Sequence, residues 1–134
     1  MLSTNLVAPY WLTQEFARNV IKLSTTGSIV NISSIDAFRA TGFMSHYEVA
    51  KAGLTMLTKS AATELAKHNI RVNAISPGLT QTEINRDQWT NQKDIWQERV
   101  DPIPMKRAAT PDDIAGAALY FASDMSAYTS GADL

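Results

Sequence analysis

The sequence predicts an α/β fold: a partial doubly wound parallel sheet with flanking helices. Three features carry that expectation. Two short β-branched runs, "SIVNIS" (28–33) and "IRVNAIS" (70–76), have strand character. A long helical pattern lies between them, and the connections are short. Strand, helix, strand in that order is a βαβ unit, whose strands run parallel.

The elements follow in chain order. "LVAPYWLTQEFARNVIK" (6–22) places Val7, Trp11, Val20 and Ile21 at helical spacing. Proline is tolerated only in a first turn, so Pro9 sets the helix start close to Asn5 or Leu6. "STTG" ends this helix, and "SIVNIS" reads as a buried strand. The loop "SIDAFRATGFM" leads to a helix from about Ser45 to His68, with a stripe of Ala50, Leu54, Leu57, Ala61 and Leu65. Pro77-Gly78 halts the second strand.

Residues 79–109 are polar and read as a loop carrying one short helix, with Trp89, Trp96 and Val100 on one side. "TPDDIAGAALYFAS" has a well-ordered helix start, with Thr110 at N-cap, Pro111 at N1 and Asp113 at N3. The final "SGADL" reads as the beginning of another strand. Residues 1–134 form part of one domain, with no repeat and no second domain.

Composition narrows the function classes. Hydrophobic residues make up 45% and charged residues 19%, the balance of a folded globular chain. Twelve Lys and Arg against 13 Asp and Glu give a net charge of -1 with no basic block, which argues against nucleic acid as a partner. The absence of cysteine excludes thiolate zinc sites and a thiol nucleophile. His46 and His68 have no partners at ligand spacing, so no metal site is expected. No apolar run approaches the ~18 residues of a membrane span. With no secretory signal at the start, a cytoplasmic protein is expected.

"HYEVAK" (46–51) opens the long helix and places Tyr47 and Lys51 four positions apart, on one helix face. A free phenol ionises near ~10, too high for proton exchange at neutral pH. An ammonium at ~4 Å in a partly screened site contributes ~4 kcal/mol, enough to bring a phenol to ~7, where acid/base catalysis works best. The spacing alone is common in helices. Ser34 adds a hydroxyl thirteen positions before Tyr47, at the carboxyl end of the first strand. Ligands of open α/β sheets bind at that edge. The second strand ends in "SPGLTQT", where Pro77 and Gly78 allow close backbone approach and Thr80 and Thr82 add hydroxyls.

Taken in order, "N…SIVNISS…YxxxKAGL…IRVNAISPGxxxT…RxATPDDIA" resembles the second half of a short-chain dehydrogenase/reductase of Rossmann type. The resemblance runs from Asn5 to Leu134. It implies an NAD(P)-dependent oxidoreductase that interconverts an alcohol and a ketone or aldehyde. Tyr47 would be the acid/base and Lys51 would assist it and hold the nicotinamide ribose. Ser34 would bind the substrate oxygen, and Asn5 would distort its helix and hold a relay water. Pro77, Gly78, Thr80 and Thr82 would fix the nicotinamide carboxamide. The resemblance further implies a small-molecule substrate and a homodimer or homotetramer, paired through the long helix with its small Ala50, Ala52, Gly53, Ala61 and Ala62. A variable lid over the substrate would carry Trp89 and Trp96.

One part of the pattern is missing. A dinucleotide pyrophosphate requires a glycine-rich turn opening onto a helix N-terminus. The six glycines here come no closer than eleven positions, at Gly42 and Gly53. NAD or NADP is therefore expected to find its nicotinamide side in these residues and no adenine or pyrophosphate site. The alternative reading is a truncated, non-catalytic remnant that acts by associating with a full-length partner.

Overall fold

The computed structural model describes residues Met1–Leu134. A π-helical turn (Ser3–Val7) runs into α1 (Ala8–Lys22), followed by β1 (Gly27–Ile32). A 3-10 turn (Ile35–Ala37) precedes α2 (Ser45–Leu65), and β2 (Ile70–Ile75) follows. Two short helices, α3 (Arg86–Thr90) and α4 (Lys93–Val100), lead to α5 (Pro111–Ala122).

β1 and β2 pair in parallel, with Gly27 opposite Ile70 and Ile32 opposite Ile75. A third segment lies along the other edge of β2. The Gly131 N–H donates to the Val72 carbonyl at 2.7 Å, and the Ala74 N–H to the Ala132 carbonyl at 2.8 Å. Asp133 bridges Ala74 in parallel sense, so "SGADL" behaves as the expected third strand. β2 is thus paired on both edges and buried at five of six positions. β1 has one free edge, and only Asn31 along it is buried.

Alternation along the strands puts helices on both faces of the sheet. Ile70 and Val72 join Ala17 and Val20 of α1 and Ala61 and Ala62 of α2 in the main core. On the same face the Asn31 amide donates to Thr58 Oγ1 of α2 at 2.8 Å. The opposite positions face α5. Ser28 Oγ and the Arg71 guanidinium both donate to the Phe121 carbonyl, at 2.7 and 2.9 Å. Arg71 also reaches the Ser123 carbonyl at 3.1 Å, satisfying the orphan acceptors at the end of α5. This is the predicted partial doubly wound sheet.

Three local expectations need correction. Helical structure begins at Ser3 rather than near Asn5 or Leu6. The π turn lets the chain enter α1 with Pro9 in its first turn, where no N–H is needed. Residues 79–109 carry two short helices rather than one: a break at Asn91 and Gln92 separates Trp89 from Trp96. Trp96 packs with Val100 and Ala108 in a second small core that Leu79 and Trp89 border. Finally, the buried face of α2 includes Lys51, Thr55 and Thr58, while Leu57 and Leu65 are only half-buried. Hydroxyls that find partners can replace leucine inside.

A 3-10 turn (Ala66–His68) follows α2 and ends where Asn69 takes a left-handed conformation, φ 57°. Asparagine tolerates that better than most residues. α5 begins with the expected capping box: Asp113 accepts from the Thr110 N–H at 2.8 Å and from its hydroxyl at 3.0 Å. Both Arg107 nitrogens also donate to it, at 2.7 and 3.0 Å. The Arg107 hydrogen bonds foremost, then those from Thr110, hold the Asp113 carboxyl well below the usual carboxylate range. A depressed carboxylate stabilises the fold above its unfolded pKa, about 4, and that contribution disappears as pH falls further. Asp113→Asn should therefore flatten the fall of Tm between about pH 4 and pH 2. An equally steep fall in the variant would contradict this origin.

Candidate functional site

The carboxyl ends of β1 and β2 form one rim. Ser33 and Ser34 follow β1, and the Ser33 N–H continues the ladder to the Ile75 carbonyl at 2.7 Å. Ser76, Pro77 and Gly78 follow β2. The Ile35 N–H donates to the Pro77 carbonyl at 3.2 Å, drawing the Ser34 turn against the Pro77 turn. α2 packs against the 3-10 turn Ile35–Ala37 beside this rim.

Ser34 is 6% exposed and is the N-cap of the 3-10 turn. Its Oγ accepts the Asp36 N–H at 3.1 Å. That bond uses a lone pair and leaves the hydroxyl proton free to be donated. Asp36 itself pairs with Arg39 at 3.0 Å across the exposed loop.

Tyr47 is half-buried in the first turn of α2. Lys51, one turn on, is 8% exposed, with Nζ 5.6 Å from the centre of the Tyr47 ring. One of its three N–H groups donates to the Ile32 carbonyl at 2.7 Å, leaving two uncommitted. Burial pulls the Lys51 ammonium below the usual lysine value. Here the i, i+4 spacing read from the sequence places cation and phenol side by side. Its second consequence, the tie from Lys51 to the end of β1, has no signature in the sequence.

Asn5 lies inside the π turn, not at a helix cap, and its amide donates to the Met1 carbonyl at 3.2 Å. The helix is distorted where the resemblance implies it. A groove of about 520 Å³ follows β1 from Ser28 to Ile32, between α1 and α2, and Asn5 and Lys51 both border it. Ser34, Tyr47 and Pro77 do not, so these five residues do not share one cavity.

Thr80 turns its hydroxyl back to the Gly78 carbonyl at 3.1 Å. The Thr82 N–H donates to Asn85 Oδ1 at 2.8 Å, and the same Oδ1 receives the Trp89 indole at 3.1 Å. Asn85, unremarked in the sequence, fixes the segment after Gly78. Asn73 holds backbone, its amide donating to the Thr129 carbonyl at 2.8 Å and its Oδ1 accepting the Ala132 N–H at 3.0 Å.

Most of the small residues of α2 pack within the chain. A Cβ on Gly53 would stand 2.9 Å from Leu6 Cδ2, so this glycine lets the π turn pack on α2 within the chain. Ala50, Ala61 and Ala62 are also buried within the chain; Ala52 is exposed. His46 is exposed, as a surface imidazole should be. No group of His, Asp and Glu could hold a metal ion. No helix is long and apolar enough to cross a membrane.

A family model described as enoyl-(acyl carrier protein) reductase matches residues 1–134. The chain is 40% identical over 128 residues to a 3-oxoacyl-[acyl-carrier-protein] reductase of Chlamydia pneumoniae, covering 96% of this chain and 50% of that protein. It is 39% identical over 132 residues to an L-rhamnose 1-dehydrogenase (NAD(P)(+)) of Sphingomonas sp. (strain SKA58), covering 97% and 51%. The solved structure of 4-hydroxyisoleucine dehydrogenase complexed with NADH superposes with a TM-score of 0.90 at 32% identity, covering 99% of this chain and 54% of that one. The chain spans about half the length of the curated relatives it matches.

Proposed function

From the premise that the chain belongs to the short-chain dehydrogenase/reductase family, we propose that it supplies the catalytic side of an NAD(P)-dependent oxidoreductase acting on an alcohol or carbonyl substrate. The observation that carries this reading is the buried Lys51 ammonium beside the Tyr47 ring, at the rim where Ser34 keeps a free proton.

The residues present suit one end of a nicotinamide dinucleotide. A ribose diol takes donors, and Lys51 offers two uncommitted ones at the border of the groove. The Pro77–Gly78 turn stands across the rim, where it suits a carboxamide. Nothing here suits a pyrophosphate, since no two glycines come close enough to make a phosphate-cradling turn. Bound, such a cofactor supplies the hydride acceptor or donor.

The chain's own residues manage the proton and the substrate oxygen. Oxidation of an alcohol removes the hydroxyl proton as well as a hydride, so a positioned base is required. Tyr47 Oη takes that proton in oxidation and returns it in reduction. Lys51, poorly hydrated because it is buried, favours the phenolate through its charge. Ser34 donates its hydroxyl proton to the substrate oxygen and so holds the reacting carbon in place.

The test is the reduction of candidate ketones and sugars by NADH or NADPH, followed at the nicotinamide absorbance. It should use the 134-residue chain joined to the N-terminal half of the Chlamydia pneumoniae relative, and that half alone as control. Turnover that requires this chain supports the reading. A well-folded fusion that binds cofactor but reduces no carbonyl in a broad panel would overturn it.

A further inference from the structure

Behind the rim, four side chains that none of the roles above use form one continuous hydrogen-bonded chain. Ser33, Thr55, Ser76 and Asp133 come from four separate parts of the fold. Ser33 follows β1, its hydroxyl toward α2. Thr55 lies one turn after Lys51 and two turns after Tyr47, on the same side of α2. Ser76 follows β2 and immediately precedes Pro77. Asp133 lies on the third strand segment.

The bond directions follow from donor counting. Asp133 Oδ1 accepts from the Ser76 hydroxyl at 2.6 Å, and Oδ2 accepts from the Thr55 hydroxyl at 3.1 Å. An ionised carboxylate only accepts, so Thr55 has spent its one proton. Across the 2.9 Å contact between Ser33 and Thr55, Ser33 must then be the donor. Ser33 Oγ also lies 3.1 Å from the Lys51 carbonyl, its alternative acceptor. Ser33 and Thr55 are 3% and 6% exposed, so solvent does not compete for the bond between them, while Ser76 and Asp133 are half-buried. Hydrogen bonds to a charged acceptor are about twice as strong as neutral ones.

We propose that Asp133 and Thr55 are positioning residues: their hydrogen-bond chain locks the Ser34 turn, the Tyr47–Lys51 face of α2 and the Pro77–Gly78 turn into one geometry. Three of the candidate site residues sit next to a member of the chain. Ser34 follows Ser33, Lys51 is one helical turn from Thr55, and Pro77 follows Ser76. A carboxylate at the junction fixes all three at once, whereas an apolar residue would hold none of their hydroxyls. This role rests on the reading of Tyr47, Lys51 and Ser34 as the reacting set.

The test is amide hydrogen exchange in the 134-residue chain, by NMR, for Thr55→Val, Thr55→Ser and Asp133→Asn. Thr55→Val keeps the volume and removes the hydroxyl. It should speed exchange roughly 10-fold at the Ile35 and Asp36 amides, which tie the Ser34 turn to Pro77 and to Ser34 Oγ. The Gln81 and Ala109 amides, bonded to each other's segments away from the brace, should stay within about twofold. Thr55→Ser should restore the original rates. If Thr55→Val does not fold, Asp133→Asn, close in volume, carries the same comparison. Unchanged exchange at Ile35 and Asp36, or equal acceleration throughout, would overturn the positioning role.

In the fused enzyme, Thr55→Val should lower kcat roughly 10-fold with KM little changed, since misplacement harms the reacting geometry first. The exchange readout needs neither cofactor nor turnover. An inactive chain with the expected exchange pattern keeps the brace and loses the chemistry. An active enzyme with unaltered exchange keeps the chemistry and loses the brace.

Discussion

Replacing Tyr47 by phenylalanine in the fused enzyme should lower kcat by roughly 10²–10⁴, the share that a positioned acid/base contributes. Cofactor affinity should stay close to the original. The reason is local: the substitution removes one oxygen and keeps the ring beside Lys51, so the 5.6 Å packing of amine against ring survives. Lys51 keeps its bond to the Ile32 carbonyl, which does not involve the phenol. Only the proton acceptor is lost. Turnover measured with saturating cofactor separates this loss from any change in binding. Equal turnover in the variant would remove the assigned role outright.

The second large effect concerns the open side of the sheet. The 134-residue chain alone should bind NADH or NADPH far more weakly than the fused enzyme. β1 has an unpaired edge, and the groove along it is flanked by exposed apolar side chains of α1, among them Leu12 at 69% and Phe16 at 39%. In a doubly wound sheet such a strand is covered and paired. On the function proposed above, a dinucleotide at this rim would meet Lys51 and the Pro77–Gly78 turn but no glycine-rich cradle. Losing two hydrogen bonds to a charged pyrophosphate removes about 3–6 kcal/mol, or 10²–10⁴ in Kd. Fluorescence titration of NADH or NADPH should therefore show micromolar binding for the fusion and none in that range for the chain alone. Micromolar binding by the chain alone would contradict the view that these residues hold only the nicotinamide side.

How far the sequence reveals the site depends on how local each feature is. Tyr47 and Lys51 are legible because both lie on one helix, where spacing fixes the face. The capping box at Thr110 and Asp113 is legible for the same reason. β1 and β2 announce themselves through β-branched runs with a helix between, and their parallel pairing follows from chain order. The burial of Thr55 and Thr58 is not legible, since threonine on a helix normally faces water. Only the partners Asp133 and Asn31, 78 and 27 positions away in the chain, make those sites dry. Gly53 misleads for a similar reason. A small residue on a helix suggests close approach, but that it is Leu6 which approaches depends on a π turn no periodicity announces. The two helices at 86–100 are short enough that their separation rests on one break at Asn91 and Gln92.

The central claim is that Tyr47 and Lys51 act as one unit on the substrate proton. A double-mutant cycle tests it most directly, with kcat of Tyr47→Phe, Lys51→Met and the double variant of the fused enzyme measured at saturating cofactor. Groups that act as a unit are strongly non-additive. The double variant should be slower than the slower single variant by no more than about threefold. If the two losses simply multiply, ammonium and phenol work independently, and the account fails.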